Sequence, residues 1–113
     1  IDTSPLLLQW DGRNLHECAI GPLPLHTTSS FRSDEVTEAR RQCFREIVRE
    51  EDPDSHGRFH HQQDPARPAH SVWMERDDAW TVSLTRLDIS PAGAVMTYEA
   101  RSGKPVGVEL PFA

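Results

Sequence analysis

Lysine is almost missing from this chain, Lys104 being the single one among twelve basic residues. The arginines are scattered among eighteen acids, which leaves a formal net charge of -6 and no clustered cationic stretch. Phosphate backbones are gripped by such clusters, so nucleic acid is not an expected partner. No apolar run approaches the roughly 20 residues of a membrane-spanning helix. Leu6-Leu7-Leu8 is also too short for the core of a secretion signal, and no membrane partner is expected. With Cys18 and Cys43 as the only cysteines, a paired-cysteine zinc motif is excluded, while one disulfide or two free thiols stay open. There is no glycine-rich phosphate loop and no nucleophile elbow, so no catalytic residue, metal or cofactor is assigned. The chain opens on Ile1, which fits removal of a leader as well as trimming, and is compatible with a cytoplasmic or an exported, periplasmic location.

What is present predicts a single α+β domain over residues 1–113, in which an N-terminal hairpin and a C-terminal four-strand meander form an antiparallel sheet on one amphipathic helix. Apolar content is low at 36% and nine prolines break the chain, so much of it should be loop. Leu6–Trp10 and Arg13–Ile20 read as strands around Asp11-Gly12, a pair suited to positive φ angles. Gly21-Pro22-Leu23-Pro24 ends the second strand, since neither proline can donate to a ladder. Ser71–Glu75 and Trp80–Leu87 read as two more strands around a two-residue Asp77-Asp78 loop, with Trp73 and Trp80 facing the core. Ser90-Pro91-Ala92-Gly93 turns the chain into the last pair.

The register of that last pair follows by elimination. A two-residue loop at Ser102-Gly103 sets Tyr98 against Gly107 and Met96 against Glu109, pairing apolar with polar or empty positions. A three-residue loop at Arg101-Ser102-Gly103 places Ala94, Met96 and Tyr98 opposite Leu110, Val108 and Val106, with Gly103 at a left-handed bulge.

The helix begins with Ser33 as N-cap and Asp34 and Glu35 in the first turn, where the helix dipole favours anions. Val36, Ala39, Cys43, Phe44 and Ile47 recur at helical spacing and should be its buried stripe, with Cys43 a core residue rather than a nucleophile. Asp52-Pro53 should stop the helix by Arg49 or Glu50. Residues 51–70 lack an apolar period and hold Pro53, Pro65 and Pro68, which predicts a long Pro/His-rich loop, the least ordered part of the domain.

That loop carries His56, His60 and His61. His56 and His60 would face one metal only on a rigid helical turn, which Gly57 and the flanking prolines oppose. The turn acids Glu75, Asp77 and Asp78 lack the cleft that a carboxylate pair needs. The expected function is therefore that of a small acidic protein-binding module, such as a bacterial inhibitor or immunity-type protein on a cationic enzyme. Glu46, Glu50, Glu51 and Asp52 would steer encounter, and His56, His60 and His61 would join the binding surface. One alternative is a small-molecule-binding protein or enzyme with a pocket between helix and sheet, in which Arg86, His70 and Tyr98 are polar lining. Another is a structural subunit whose exposed edge strand pairs across an interface.

Overall fold

Asp11 organises the first turn. In a computed structural model, which describes residues 6–21, 23–29 and 32–111, its carboxylate accepts from the backbone N–H groups of Arg13 and Asn14 at 2.8 and 2.7 Å. Gly12 supplies the positive φ of 95° that the turn requires. The flanking strands β1 (Leu7–Trp10) and β2 (Leu15–Cys18) pair antiparallel, Leu7 opposite Cys18 and Trp10 opposite Leu15. The loop is thus four residues long, and both strands are shorter than the apolar pattern predicts. Strand β2 ends ahead of Gly21-Pro22-Leu23-Pro24, of which Pro22 lies outside the described residues.

Helix α1 (Ser33–Ile47) buries Val36 and Phe44, while Ala39, Cys43 and Ile47 of the expected stripe are half-buried. Its N-cap is Arg32 in a left-handed conformation (φ 41°), not Ser33, and no side chain caps it. The helix also stops earlier than Arg49: Val48 turns extended at ψ 130° and Arg49 enters a tight turn closed by the Asp52 N–H on the Arg49 carbonyl at 3.1 Å.

The expected long loop at 51–70 is folded. Pro53 starts a second helix, α2 (Asp54–His60), and Pro68–His70 form a 3-10 turn, so the single-helix arrangement is corrected to two α-helices. Pro53 and Pro68 sit at the helix starts, where a missing N–H costs nothing, and Pro65 lies in the turn between them. Ser55 fixes the corner between α1 and α2: it is fully buried, accepts from the Arg49 N–H at 2.9 Å and donates to the Asp52 carbonyl at 2.6 Å. Phe59 is buried beside it and meets Phe44 edge to face at 5.2 Å between ring centres. Arg40 ties the assembly together, donating to Thr27 Oγ1, the Thr28 carbonyl and the Ala69 carbonyl.

The C-terminal sheet has three strands, not four: β3 (Ser83–Ser90), β4 (Gly93–Ala100) and β5 (Val106–Pro111), in that order. The molecule is α+β with two antiparallel sheets, of two and three strands. The predicted strand at Ser71–Glu75 survives as one isolated bridge, Glu75 opposite Trp80, in the register that an Asp77-Asp78 loop demands. Strand β3 starts three residues later than predicted, and the chain between Met74 and Val82 instead closes a short hairpin of its own, the Arg76 and Thr81 N–H groups donating to the Ala79 and Met74 carbonyls at 2.7 and 2.9 Å, with Arg101 clasping it. The guanidinium donates to the carbonyls of Met74 and Thr81 at 3.1 and 2.9 Å, and its backbone N–H to that of Val82 at 2.9 Å. Trp80 consequently lies 56% exposed rather than in the core, and Trp73 is half-buried.

The register of β4 and β5 is the one reached by elimination: Ala94, Met96 and Tyr98 face Leu110, Val108 and Val106. Its turn differs, since pairing ends at Tyr98 opposite Val106 and Gly103 is not left-handed, its N–H closing an ordinary turn on the Ala100 carbonyl at 3.1 Å. Gly93, following Pro91-Ala92, carries the positive φ of this sheet at 149°.

One sheet face carries no charge at all. It consists of Ser83, Thr85, Leu87 and Ile89 of β3, alternate residues Ala94 to Ala100 of β4, and Val106, Val108 and Leu110 of β5. The opposite face bears Arg86, Asp88, Glu99 and Glu109. The helix was expected beneath the apolar face, and the structure corrects this: Leu87, Ile89, Met96, Tyr98, Val106, Val108 and Leu110 are all exposed, Ile89 at 63%. The polar face is the one partly covered, with Leu84, Arg86, Thr97 and Glu99 half-buried.

Candidate functional site

A cleft of about 460 Å³ separates α2 from β3, and three of the predicted binding residues, Glu50, His56 and His60, line it. Arg86, Asp88 and Leu84 form the opposite wall. Helix α2 makes this possible, since a four-residue step puts His56 and His60 one turn apart on the same side. The ring of His56 meets Phe44 edge-on at 6.1 Å and that of His60 meets Phe59 at 5.1 Å, so the aromatic core beneath orients both imidazoles. Burial, with His56 and His61 nearby, pushes the His60 imidazole below its ordinary pKa. Across the cleft Arg86 is paired with Asp88 along the strand at 2.9 Å. Among the described residues no three histidine, cysteine or acidic side chains converge as a metal site would require.

His61 points elsewhere. Its Nδ1 donates to the Gly57 carbonyl at 2.7 Å and its Nε2 meets Glu99 Oε2 at 2.8 Å. Both partners accept only, so the ring satisfies them together when it is the imidazolium, and its pKa is raised, chiefly by the Gly57 carbonyl. The ring also lies 5.0 Å from that of Trp73, over which Arg101 stacks at 5.3 Å. His61 is therefore a strut between α2 and β4, not part of the cleft.

The carboxylates at the α1–α2 corner divide in the same way. Asp52 is occupied: it pairs with Arg58 and accepts from the Asp54 N–H at 3.1 Å, which together hold its pKa below the ordinary carboxylate range, Arg58 contributing most. Glu46, Glu50 and Glu51 are exposed, and no salt bridge reaches them among the described residues, Glu46 taking only the Gln42 amide at 3.0 Å. Nearby cations are committed elsewhere. Arg49 caps the end of α1 through the Arg45 and Val48 carbonyls, and Arg45 pairs with Glu38.

The other residues named from the sequence scatter. His70 is buried against Glu35 at 3.0 Å, at the border of a second, 690 Å³ cavity. Its carboxylate partner has a lowered pKa, first through that hydrogen bond. Tyr98 lies on the sheet face opposite to Arg86, so Arg86, His70 and Tyr98 do not converge. Cys18 and Cys43 are free thiols. Burial, with Glu46 adding to it, pushes the Cys43 thiol up, while His16, on β2, pairs with Asp11 of the hairpin loop at 2.7 Å. Glu75 and Asp78 bind Arg101 and Arg76 as turn residues. Sequence reasoning missed Asp88 as the cleft partner of Arg86 and Arg101 as the clasp of the sheet. The i,i+2 alternation of Arg86 and Asp88 along one strand is a legible signal for the first, whereas long-range contacts alone reveal the second. No protein-family model, no curated protein and no solved structure matches this chain.

Proposed function

We propose that the chain is a small acidic protein-binding module that presents its α1–α2 corner to a basic surface of another protein, as an inhibitor or immunity-type protein covers a cationic enzyme site. The reading rests on one observation: Glu46, Glu50 and Glu51 project from a rigid corner without a cation on them, while the arginines around them are spent on backbone carbonyls and other acids. Carboxylates left unpaired at the lip of a cleft attract a cationic partner and offer its side chains a place to enter. Net charge of -6 extends that attraction beyond the contact surface. The test uses Glu46→Gln, Glu50→Gln and Glu51→Gln together, leaving Asp52 alone because it holds Arg58 and the Asp54 N–H at the corner. Wild-type chain captures the partner from the native host, and the association rate with that partner slows as salt rises. The triple variant associates several-fold more slowly with little change in melting temperature. Association indifferent to both salt and substitution rejects the reading, and so does turnover of a small molecule by the chain alone.

The cleft itself supports a second reading, a small-molecule site, because imidazole, guanidinium and carboxylate groups of His56, His60, Arg86 and Asp88 share one 460 Å³ space. A ligand there raises thermal stability by mass action, and His60→Ala abolishes the shift.

A further inference from the structure

Among the described residues, a single polar link joins residues 54–61 to the three-stranded sheet: the contact of His61 Nε2 with Glu99 Oε2 at 2.8 Å. Its place matters. Glu99 stands opposite Leu84 in the β3–β4 ladder, and Leu84 and Gly57 both line the 460 Å³ cleft. The same ring reaches the Gly57 carbonyl through Nδ1 at 2.7 Å. One imidazole thus ties the α2 wall of the cleft to the sheet.

A neutral imidazole carries one N–H, whereas both of these partners only accept. With the hydrogen on Nδ1, the Nε2 lone pair faces the carboxylate at 2.8 Å. With it on Nε2, the Nδ1 lone pair faces the carbonyl at 2.7 Å. Neither neutral tautomer keeps both contacts, and only the imidazolium adds charge to its bond with Glu99. The side chain is 41% exposed, so protons reach it from bulk water. The ionisable groups around it are few: His56 and His60 on α2, Glu99 on β4, and Arg101, which stacks on the same Trp73 and is paired with Glu75 at 2.8 Å. On β3, Arg86 is paired with Asp88.

We propose that His61 is a proton-operated latch on the cleft: as the imidazolium it holds the end of α2 against β4, and on losing its proton it gives up one of its two contacts and lets the α2 wall loosen from the sheet. The cleft is tighter in acid and looser in base. Because the pKa of this ring is raised, release lies above the ordinary histidine value near 6.5. His60, held below that value, takes its proton only after the latch has closed. The latch depends on neither binding reading, since no partner or ligand enters its test.

The test is nuclear magnetic resonance on the isotope-labelled full chain, titrated from about pH 5 to about pH 9, the range in which histidine changes charge. Ring-nitrogen shifts of His61 report its protonation, and relaxation of the Leu84 methyl protons by a neutral gadolinium chelate in the solvent reports access to the cleft. The expected result is that access to Leu84 rises with pH at the His61 midpoint, together with amide shifts at residues 57–62. Glu99→Gln replaces the carboxylate by an amide that donates to Nε2 of the neutral ring while Nδ1 keeps Gly57. In that variant the ring midpoint falls and the cleft stays closed across the range. His61→Gln is expected to remove the response altogether. Helical circular dichroism like that of wild type establishes that the variants fold, and if Glu99→Gln does not, wild type and His61→Gln decide alone. A ring that titrates with no change at Leu84 overturns the proposal, as does a ring whose protonation is constant from end to end. A response that survives His61→Gln also overturns it and assigns the effect to His56 or His60.

Discussion

Ser55 shows how one small polar side chain decides the path of the chain. Buried completely and bonded to Arg49 and Asp52, it replaces the backbone contacts that neither helix can supply at the corner. Ser55→Ala strips the Arg49 N–H of its acceptor and should cost about 1–3 kcal/mol of unfolding free energy, read by denaturant titration. A change within error means that water replaces the hydroxyl. His60 and His61 are neighbours with opposite responses to pH. His61 has a raised pKa in the fold, so its contribution is complete below the unfolded value near 6.5 and disappears as pH rises through the folded one. His60 has a lowered pKa, so its contribution is present above about 6.5 and is lost as pH falls through the folded value. Melting curves over this range should show His61→Gln most destabilised relative to wild type on the acid side. His60→Gln should lose less stability on acidification than wild type does. The same slope in both variants would contradict the assignment of opposite shifts.

Helix α2 is the element that separates pattern from outcome. Its sequence, Asp54-Ser-His-Gly-Arg-Phe-His60, has a glycine at the centre and a proline before it, and no apolar stripe beyond Phe59. A helix this short does not stand on propensity. It stands because Phe59 docks on Phe44 of α1 and Ser55 closes the corner on Arg49 and Asp52, contacts made outside α2 rather than within it. Gly57 is an intrinsic weakness in that helix, and a Cβ built there meets nothing within 4 Å. Gly57→Ala should therefore raise stability by about 0.5–1 kcal/mol, measured as a higher denaturant midpoint at unchanged slope. A loss of stability would show that the cleft wall needs the missing side chain. The last two strands behave in the opposite manner, since alternation alone fixes their register even though the turn takes another form, while at the first hairpin Asp11-Gly12 marks the turn without choosing between registers.

For the whole molecule, a net charge of -6 makes salt the test of partner binding: association through Glu46, Glu50 and Glu51 slows as ionic strength rises. An association rate that is the same at low and high salt rejects steering by these carboxylates.

The sequence by itself determined the α+β class, the Asp11-Gly12 hairpin, the Ser90–Gly93 turn and the register of Met96 on Val108, because period-2 alternation and turn chemistry act between neighbours. It also located Glu50, His56 and His60 among the candidate residues, through charge and local clustering. Only the tertiary structure decided that 51–70 holds helix α2 and a 3-10 turn, that Trp80 is exposed, that Asp52 and His61 are struts, and that Asp88 and Arg86 complete the cleft. All but the Asp52 pairing with Arg58 depend on partners far along the chain: Phe44 for α2, Arg101 for the Met74–Val82 segment, Glu99 for His61. Alternation reveals that β3-β4-β5 has an apolar face but not what covers it, since burial is a property of the neighbours that pack against a strand.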